Sequence, residues 1–296
     1  MTDTGPQLQG PPTGATRFAR VRARLEAVQP TKGWQSWVYE FLLFGFKQGW
    51  ACLFGALMLA LLLGTHFFYP DHAPLARNDF LTIMAVLIQA GMLAFRLENW
   101  EEARVILAFH VTGTLMEQFK TQAGSWNYAD GGVLHIGLVP LYSGFMYAAV
   151  GSYIARIWRI FGIHMTHWPS RWQLIALALA IYINFFAHHW LPDIRLLLFA
   201  TVVVMFWRSR FYFTPFRHER WMPILLGFFL VALFIWFAEN IGTFAHAWSY
   251  PNQHHGWQLV SPAKLGSWYL LMIISVVMVS LIHGDGAETK TRSPAD

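Results

Sequence analysis

Charged side chains are scarce in this chain. Asp, Glu, Lys and Arg make up 12% of its 296 residues, against about 25% in soluble domains. With 55% of residues hydrophobic and a mean hydropathy of +0.37, the composition excludes an ordinary soluble domain. Cysteine is nearly absent. Cys52 stands alone in an apolar run, so no intrachain disulfide can form and the redox compartment stays open. The first 35 residues lack an apolar core and a small-residue cleavage site, which excludes a signal peptide. Also missing are a phosphate-binding glycine loop, a cysteine pair at zinc spacing and a nucleophile elbow. The chain has no DxxxD-type cluster of the kind that binds Mg-diphosphate in membrane prenyltransferases. No metal site is therefore assigned, and nothing specifies a cofactor.

What is present is a series of apolar runs, several near the 20 residues needed to cross a bilayer core of about 30 Å. The expected fold is all-α, a polytopic membrane bundle of about eight helices. The spans fall near 41–68, 80–95, 101–121, 137–160, 171–190, 194–208, 222–245 and 262–283. Fifteen Trp and ten Tyr suit aromatic belts at the two interfaces. Residues 1–35 read as a disordered and then basic N-terminal tail, 36–283 as one transmembrane domain and 284–296 as a polar tail. With the N-terminus inside, sixteen Lys and Arg fall on the cytoplasmic side and four on the outer side. Lys47 lies within the first span. Positive residues mark cytoplasmic loops, so both termini are expected in the cytoplasm of a bacterial cell, around a multi-pass inner-membrane domain. This topology accounts for the net charge of +5, and the partner it implies is lipid rather than nucleic acid.

The chain contains one stretch twice. Glu117, Trp126, Tyr128, Pro140, Gly144 and Tyr147 recur as Glu239, Trp248, Tyr250, Pro262, Gly266 and Tyr269, always 122 residues later. Thr121/Thr243 and Ala123/Ala245 also match, giving eight identities in 31 positions. Composition alone would give roughly two or three. His66, Pro70 and Asp71 match His188, Pro192 and Asp193 at the same offset. Phe95-Arg96-Leu97-Glu98-Asn99-Trp100 matches Phe216-Arg217-His218-Glu219-Arg220-Trp221 at offset 121. A tandem duplication follows, with repeats 36–165 and 166–283. Four spans each is an even number, so the repeats are parallel about an axis along the membrane normal.

A charge at a helix centre costs about 2.5–3.5 kcal/mol to insert, so a duplicated intramembrane Glu marks a site. Glu117 and Glu239 are the candidate catalytic pair, able to hold and pass a proton if they share an apolar pocket. Trp126, Tyr128, Tyr147, Trp248, Tyr250 and Tyr269 are candidates to line a substrate pocket. So are His110, seven residues before Glu117, and His246, seven after Glu239, each near its Glu on a continuous helix. The competing readings are pairing of the two Glu with Lys120 and Lys264, and Trp and Tyr as interface anchors. The functions this supports are proton or water addition to an apolar substrate, proton-coupled transport, and a structural role. The histidines at 66, 188 and 189 lie at helix ends, where capping, solvation and metal binding all remain open.

The strings FRLENWEEARVI, FHVTGTLMEQFKTQAGSWNY, VPLYSGFMYAAVGSYIARIWR and ALFIWFAENIGTFAHAWSYP resemble the bacterial membrane proteins grouped as domain of unknown function 817. That resemblance covers about 37–283 and implies a multi-spanning inner-membrane protein, with no activity to carry over. A shorter pattern is similar to membrane carotenoid hydratases and small-subunit-type lycopene cyclases, which place a helix Glu ahead of a Gly-x-Trp-x-Tyr-like turn. Gly124-Ser125-Trp126-Asn127-Tyr128 resembles it. Ala247-Trp248-Ser249-Tyr250 lacks the glycine, and the cyclases' Pro-x-Glu-Glu is not evident. The resemblance implies an isoprenoid- or carotenoid-like substrate.

Overall fold

The computed structural model describes residues 17–28, 33–129, 131–188, 190–253 and 255–282. The expected tails at 1–16 and 284–296, and His189, lie outside the described residues. Among those described, the chain is mostly helical: α1 (Arg17–Glu26), α2 (Gly33–Ala51), α3 (Leu53–Phe68), α4 (Arg77–Ala94) and α5 (Trp100–Gln122), then α6 (Tyr142–Phe161), α7 (Arg171–Ala187), α8 (Arg195–Phe206), α9 (Ile224–Phe244) and α10 (Ala263–Ile282). Every apolar run named above carries one of these helices, or, for the first run, the pair α2 and α3.

The all-helical expectation needs a correction in the connections. A short hairpin, β1 (His135–Ile136) with β2 (Val139–Pro140), occupies the expected start of the fourth run, so α6 begins only at Tyr142. At the opposite end, β3 (His164–Thr166), β4 (Arg210–Phe213) and β5 (Arg220–Pro223) form an antiparallel sheet in the order β3-β4-β5. Their β-branched and aromatic residues favour a pleated surface, and Pro223 sits at the very end of β5, where no ladder bond is lost.

The number of spans also differs from expectation. By length and composition, α9 and α10 could cross a membrane, and α2 with α3 make a third if taken as one span bent by 66°. The others fall short for physical reasons. At 17 and 12 residues, α7 and α8 reach only about 25 and 18 Å. Charged groups interrupt α4, α5 and α6, among them Asp79, Glu102, Glu117 and Arg156.

The bend at Cys52 contains no proline. The helical bonds Cys52 N–H to Gln48 O (2.9 Å) and Ala56 N–H to Cys52 O (2.8 Å) persist on either side. The Trp50 carbonyl instead accepts from the Arg156 guanidinium at 3.2 Å. Arg156 is fully buried and pairs with Glu98 at 3.0 Å and Glu102 at 3.7 Å. Glu102 also takes Arg159 at 2.6 Å and completes a capping box with Asn99 that starts α5. Glu98 thus forms a buried helix-end pair with Arg156, which also bonds the backbone at the bend.

The helices pack in two similar sets. The closest pair is α5 with α6, where Gly113 and Gly144 let the backbones approach: a side chain at Gly113 would meet the Tyr147 ring, and one at Gly144 would meet His110 and Thr114. The next closest is α9 with α10. α3 packs on α6 and α7 on α10, while α6 and α10 meet at the centre. The helices that follow the two Glu-bearing ones are thus the pair in contact between the sets. A continuous core, including Phe54, Phe109, Ile154, Leu177, Phe228 and Ile273, joins both sets.

Candidate functional site

Both Glu side chains are buried, each 4% exposed, and both border one cavity of about 1050 Å³ lined mainly by aliphatic and aromatic groups. Glu117 is on the last turns of α5. The chain then turns through Gly124, in the left-handed region at φ 68°, and returns Trp126 and Tyr128 towards the helix end. Trp126 Nε1–H donates to Glu117 Oε2 at 2.6 Å, and Tyr128 O–H donates to the same oxygen at 2.6 Å. From α6, Tyr147 O–H donates to Oε1 at 2.7 Å. The Glu239 carboxylate on α9 receives Tyr250 O–H on Oε1 and Trp268 Nε1–H, from α10, on Oε2.

The two loops meet back to back. Asn127 N–H donates to Ser249 O and Ser249 N–H to Asn127 O, both at 2.9 Å. These residues are 122 apart, so equivalent positions pair with each other. The Trp126 and Tyr250 rings meet edge to face at 6.1 Å, and Tyr147 lies 6.2 Å from Trp268, so an aromatic wall joins the two carboxyl groups.

The cations expected as partners lie over rings. Lys264 Nζ is 4.2 Å from the Tyr250 ring centre and 5.2 Å from that of Trp126. Lys120 Nζ is 4.1 Å from the Phe185 ring centre. In the loops, burial first and then the charge of Glu117 hold the Tyr128 phenol well above its ordinary 10.0. Tyr250 is raised in the same way by burial and by Glu239. Both phenols stay protonated at neutral pH and act as donors.

An indole N–H can only donate, whereas a phenol can donate or accept. Trp126 thus fixes Glu117 Oε2 as an acceptor, and Trp268 does the same for Glu239 Oε2. Each Oε1 accepts instead from a phenol that borders the cavity, Tyr147 at Glu117 and Tyr250 at Glu239.

Seven of the ten expected site residues border this cavity: Glu117, Glu239, Trp126, Tyr128, Tyr147, Trp248 and Tyr250. Tyr269, His110 and His246 do not. Tyr269 turns to Phe199 and Phe228, with ring centres 5.9 and 6.5 Å away. His110 packs on Phe145 at 4.4 Å, beside Gly144. His246 lies beyond the end of α9 in a left-handed turn at φ 52°, so helical spacing no longer applies; it is exposed and faces His66 at 5.3 Å. The residue missed is Trp268. It precedes Tyr269, and its signal was an aromatic one position from the matched one. Among the described residues, no three His, Cys, Asp or Glu gather as a metal centre would need.

A relative in Bacillus subtilis (strain 168), "Uncharacterized protein YoaT", is 40% identical over 259 residues, which is 88% of this chain and 97% of that protein. No solved structure gives a significant match. The family described as "Protein of unknown function (DUF817)" matches residues 40–276, and the chain belongs to that family.

Proposed function

We propose that this is a multi-pass membrane enzyme that adds a proton, or a proton and water, to a double bond of an apolar isoprenoid- or carotenoid-like molecule. The observation that carries the reading is one large apolar cavity bordered by two buried carboxyl groups, each facing a phenol. In this reading the protein sits in a bacterial inner membrane as two parallel repeats, crossing it at least through the bent pair α2–α3, α9 and α10, with both termini in the cytoplasm. The sixteen-to-four distribution of Lys and Arg and the bridge between Asn127 and Ser249 support it. One acid gives its proton to an alkene carbon. The facing rings, Trp126, Trp248 and Tyr250, steady the cation that forms. Water adds to the other carbon, and its proton passes to the second carboxylate.

Glu117→Gln and Glu239→Gln test this. Untargeted comparison of lipid extracts from expressing and deleted cells gives the product, and each variant is expected to lose at least about a hundredfold in turnover. Full turnover by both purified variants overturns the reading.

A second reading, proton-coupled transport, is favoured by one observation: the 66° bend in α2–α3, because broken helices accompany carrier sites. It predicts pH-gradient-dependent flux in proteoliposomes that the same two variants abolish. No flux of the identified product or its precursor excludes it.

A further inference from the structure

At the sheet end of the molecule, far along α6 from the two Glu, lies a second cavity of about 350 Å³. Four cations from four separate segments border it: Arg22 on α1, Lys47 on α2, Arg159 near the end of α6, and Arg217 between β4 and β5. One carboxylate borders it, Glu26. Lys47, 1% exposed, bonds Glu26 at 2.7 Å and the Pro215 carbonyl at 2.7 Å. Arg22 Nε lies 3.6 Å from Glu26 and its NH1 donates to Ile160 O at 3.2 Å. Arg217 donates to Val28 O at 3.2 Å and lies 4.8 Å over the Phe216 ring. Behind the cleft, Glu98 and Glu102 match Arg156 and Arg159. That leaves Arg22, Lys47 and Arg217 against Glu26, an excess of two positive charges around an open cleft.

Arg22, Lys47 and Arg217 come from three segments and repel one another across the cleft, although each also bonds a carboxylate or a carbonyl. An anion in the cleft would remove the repulsion. Guanidinium forks match phosphate oxygens in pairs, and the buried ammonium adds a point charge. At about 30 Å³ per water, the space holds roughly ten waters, more than a bare phosphate fills. Phe161 and Phe216 give it one apolar flank.

We propose that this cleft between α1, α2, α6 and the β4–β5 connection binds a phosphate group, carried by an anionic phospholipid or free in solution. The site would anchor α1 to the body of the protein. It is independent of the chemistry assigned to the two Glu.

The test uses the purified full chain in nanodiscs of phosphatidylcholine, with and without phosphatidylglycerol, and in detergent with and without inorganic phosphate. The readout is the thermal unfolding midpoint as each additive is titrated. A rise with phosphatidylglycerol alone assigns the lipid headgroup, and a rise with inorganic phosphate as well assigns the free anion too. In either case Arg22→Gln/Arg217→Gln is expected to need about ten times more additive for the same rise. Arg20→Gln, exposed on the same helix and outside the cleft, is expected to respond like the natural chain. If the double variant does not fold, Arg217→Gln alone serves, with a weakening of about threefold. No response in any arm overturns the proposal, as does a cleft variant that responds like the natural chain.

Discussion

Around Glu117 three donors converge, Trp126, Tyr128 and Tyr147; around Glu239 there are two, Tyr250 and Trp268. The residues near each Glu match in sequence, yet only the Tyr128/Tyr250 pair does the same work in both halves. Two exchanges explain the rest. Gly113 leaves room for the Tyr147 ring against α5. Its counterpart is Ile235, and on that side Tyr269 packs on Phe199 and Phe228 while the neighbouring Trp268 reaches the acid. Lys120 has Gly242 as its counterpart. A Cβ there would collide with the Trp248 indole, which lies on the bare helix backbone. Where Lys120 stands, Trp126 goes to the carboxylate. A duplicated motif therefore preserves the chemistry at each acid while a different residue supplies it.

The largest expected effect bears on the donor count. Glu117→Ala strands three buried donors and Glu239→Ala two, at about 1–3 kcal/mol each. Glu117→Ala is expected to cost about 3–6 kcal/mol in denaturant unfolding of the purified protein, and Glu239→Ala about 1–3 kcal/mol less than that. Equal losses would mean that Tyr147 holds its place by packing alone.

A second contrast lies in the related segments 95–100 and 216–221. Glu98 is 4% exposed and paired with the fully buried Arg156. Glu219 is half exposed, 3.7 Å from His164. Arg156→Leu leaves Glu98 buried without its ion partner and frees the Trp50 carbonyl at the bend, at a cost of about 3–5 kcal/mol. Glu219→Ala should stay within about 0.5 kcal/mol in the same measurement. If Arg156→Leu is as mild, the bend at Cys52 does not depend on the guanidinium.

These contrasts also mark what the sequence could reveal. The helices were legible because long apolar runs end at proline, as after Tyr69, or at glycine, as at Gly162, whose φ of 58° caps α6. Seven cavity residues were legible because identities at offset 122 singled them out. The bend at Cys52 was not: it contains no proline, and Arg156, which holds it, is a hundred residues away. Tyr269 was misplaced because identity at offset 122 does not carry its surroundings with it: Gly113, on which Tyr147 packs, has Ile235 as its counterpart. His246 was misplaced because the helical period was carried two residues past the end of α9. The sheet β3-β4-β5 was hidden in loops read only for their charges, although Arg210-Phe211-Tyr212-Phe213 is rich in strand-forming residues.

The Gly242 explanation predicts a smaller, directional effect. Gly242→Ala puts a methyl group into the Trp248 indole, at a cost of about 1–3 kcal/mol. The displaced indole should also change tryptophan fluorescence. Lys120→Gly, the reverse exchange, should cost less than about 1.5 kcal/mol, chiefly from glycine in a helix. An unchanged Trp248 environment in Gly242→Ala would remove the steric account of why the two halves diverged.

The smallest expected effect is in acid sensitivity at Asp193, in the turn between α7 and α8. Burial alone would raise the Asp193 carboxyl. The Asn184 amide (3.1 Å), the Arg195 backbone N–H (3.0 Å) and the Arg195 guanidinium (2.7 Å) outweigh it and hold the group below its ordinary 3.8. A carboxyl lowered on folding stabilises the protein above its unfolded value, and that stabilisation fades as pH falls through the folded value. Asp193→Asn should therefore flatten the acid limb of the unfolding midpoint below pH about 4. Because the side chain is 39% exposed, the difference should stay under about 1 kcal/mol. An acid limb in Asp193→Asn as steep as in the natural chain would mean that the turn between α7 and α8 has no special hold on its carboxylate.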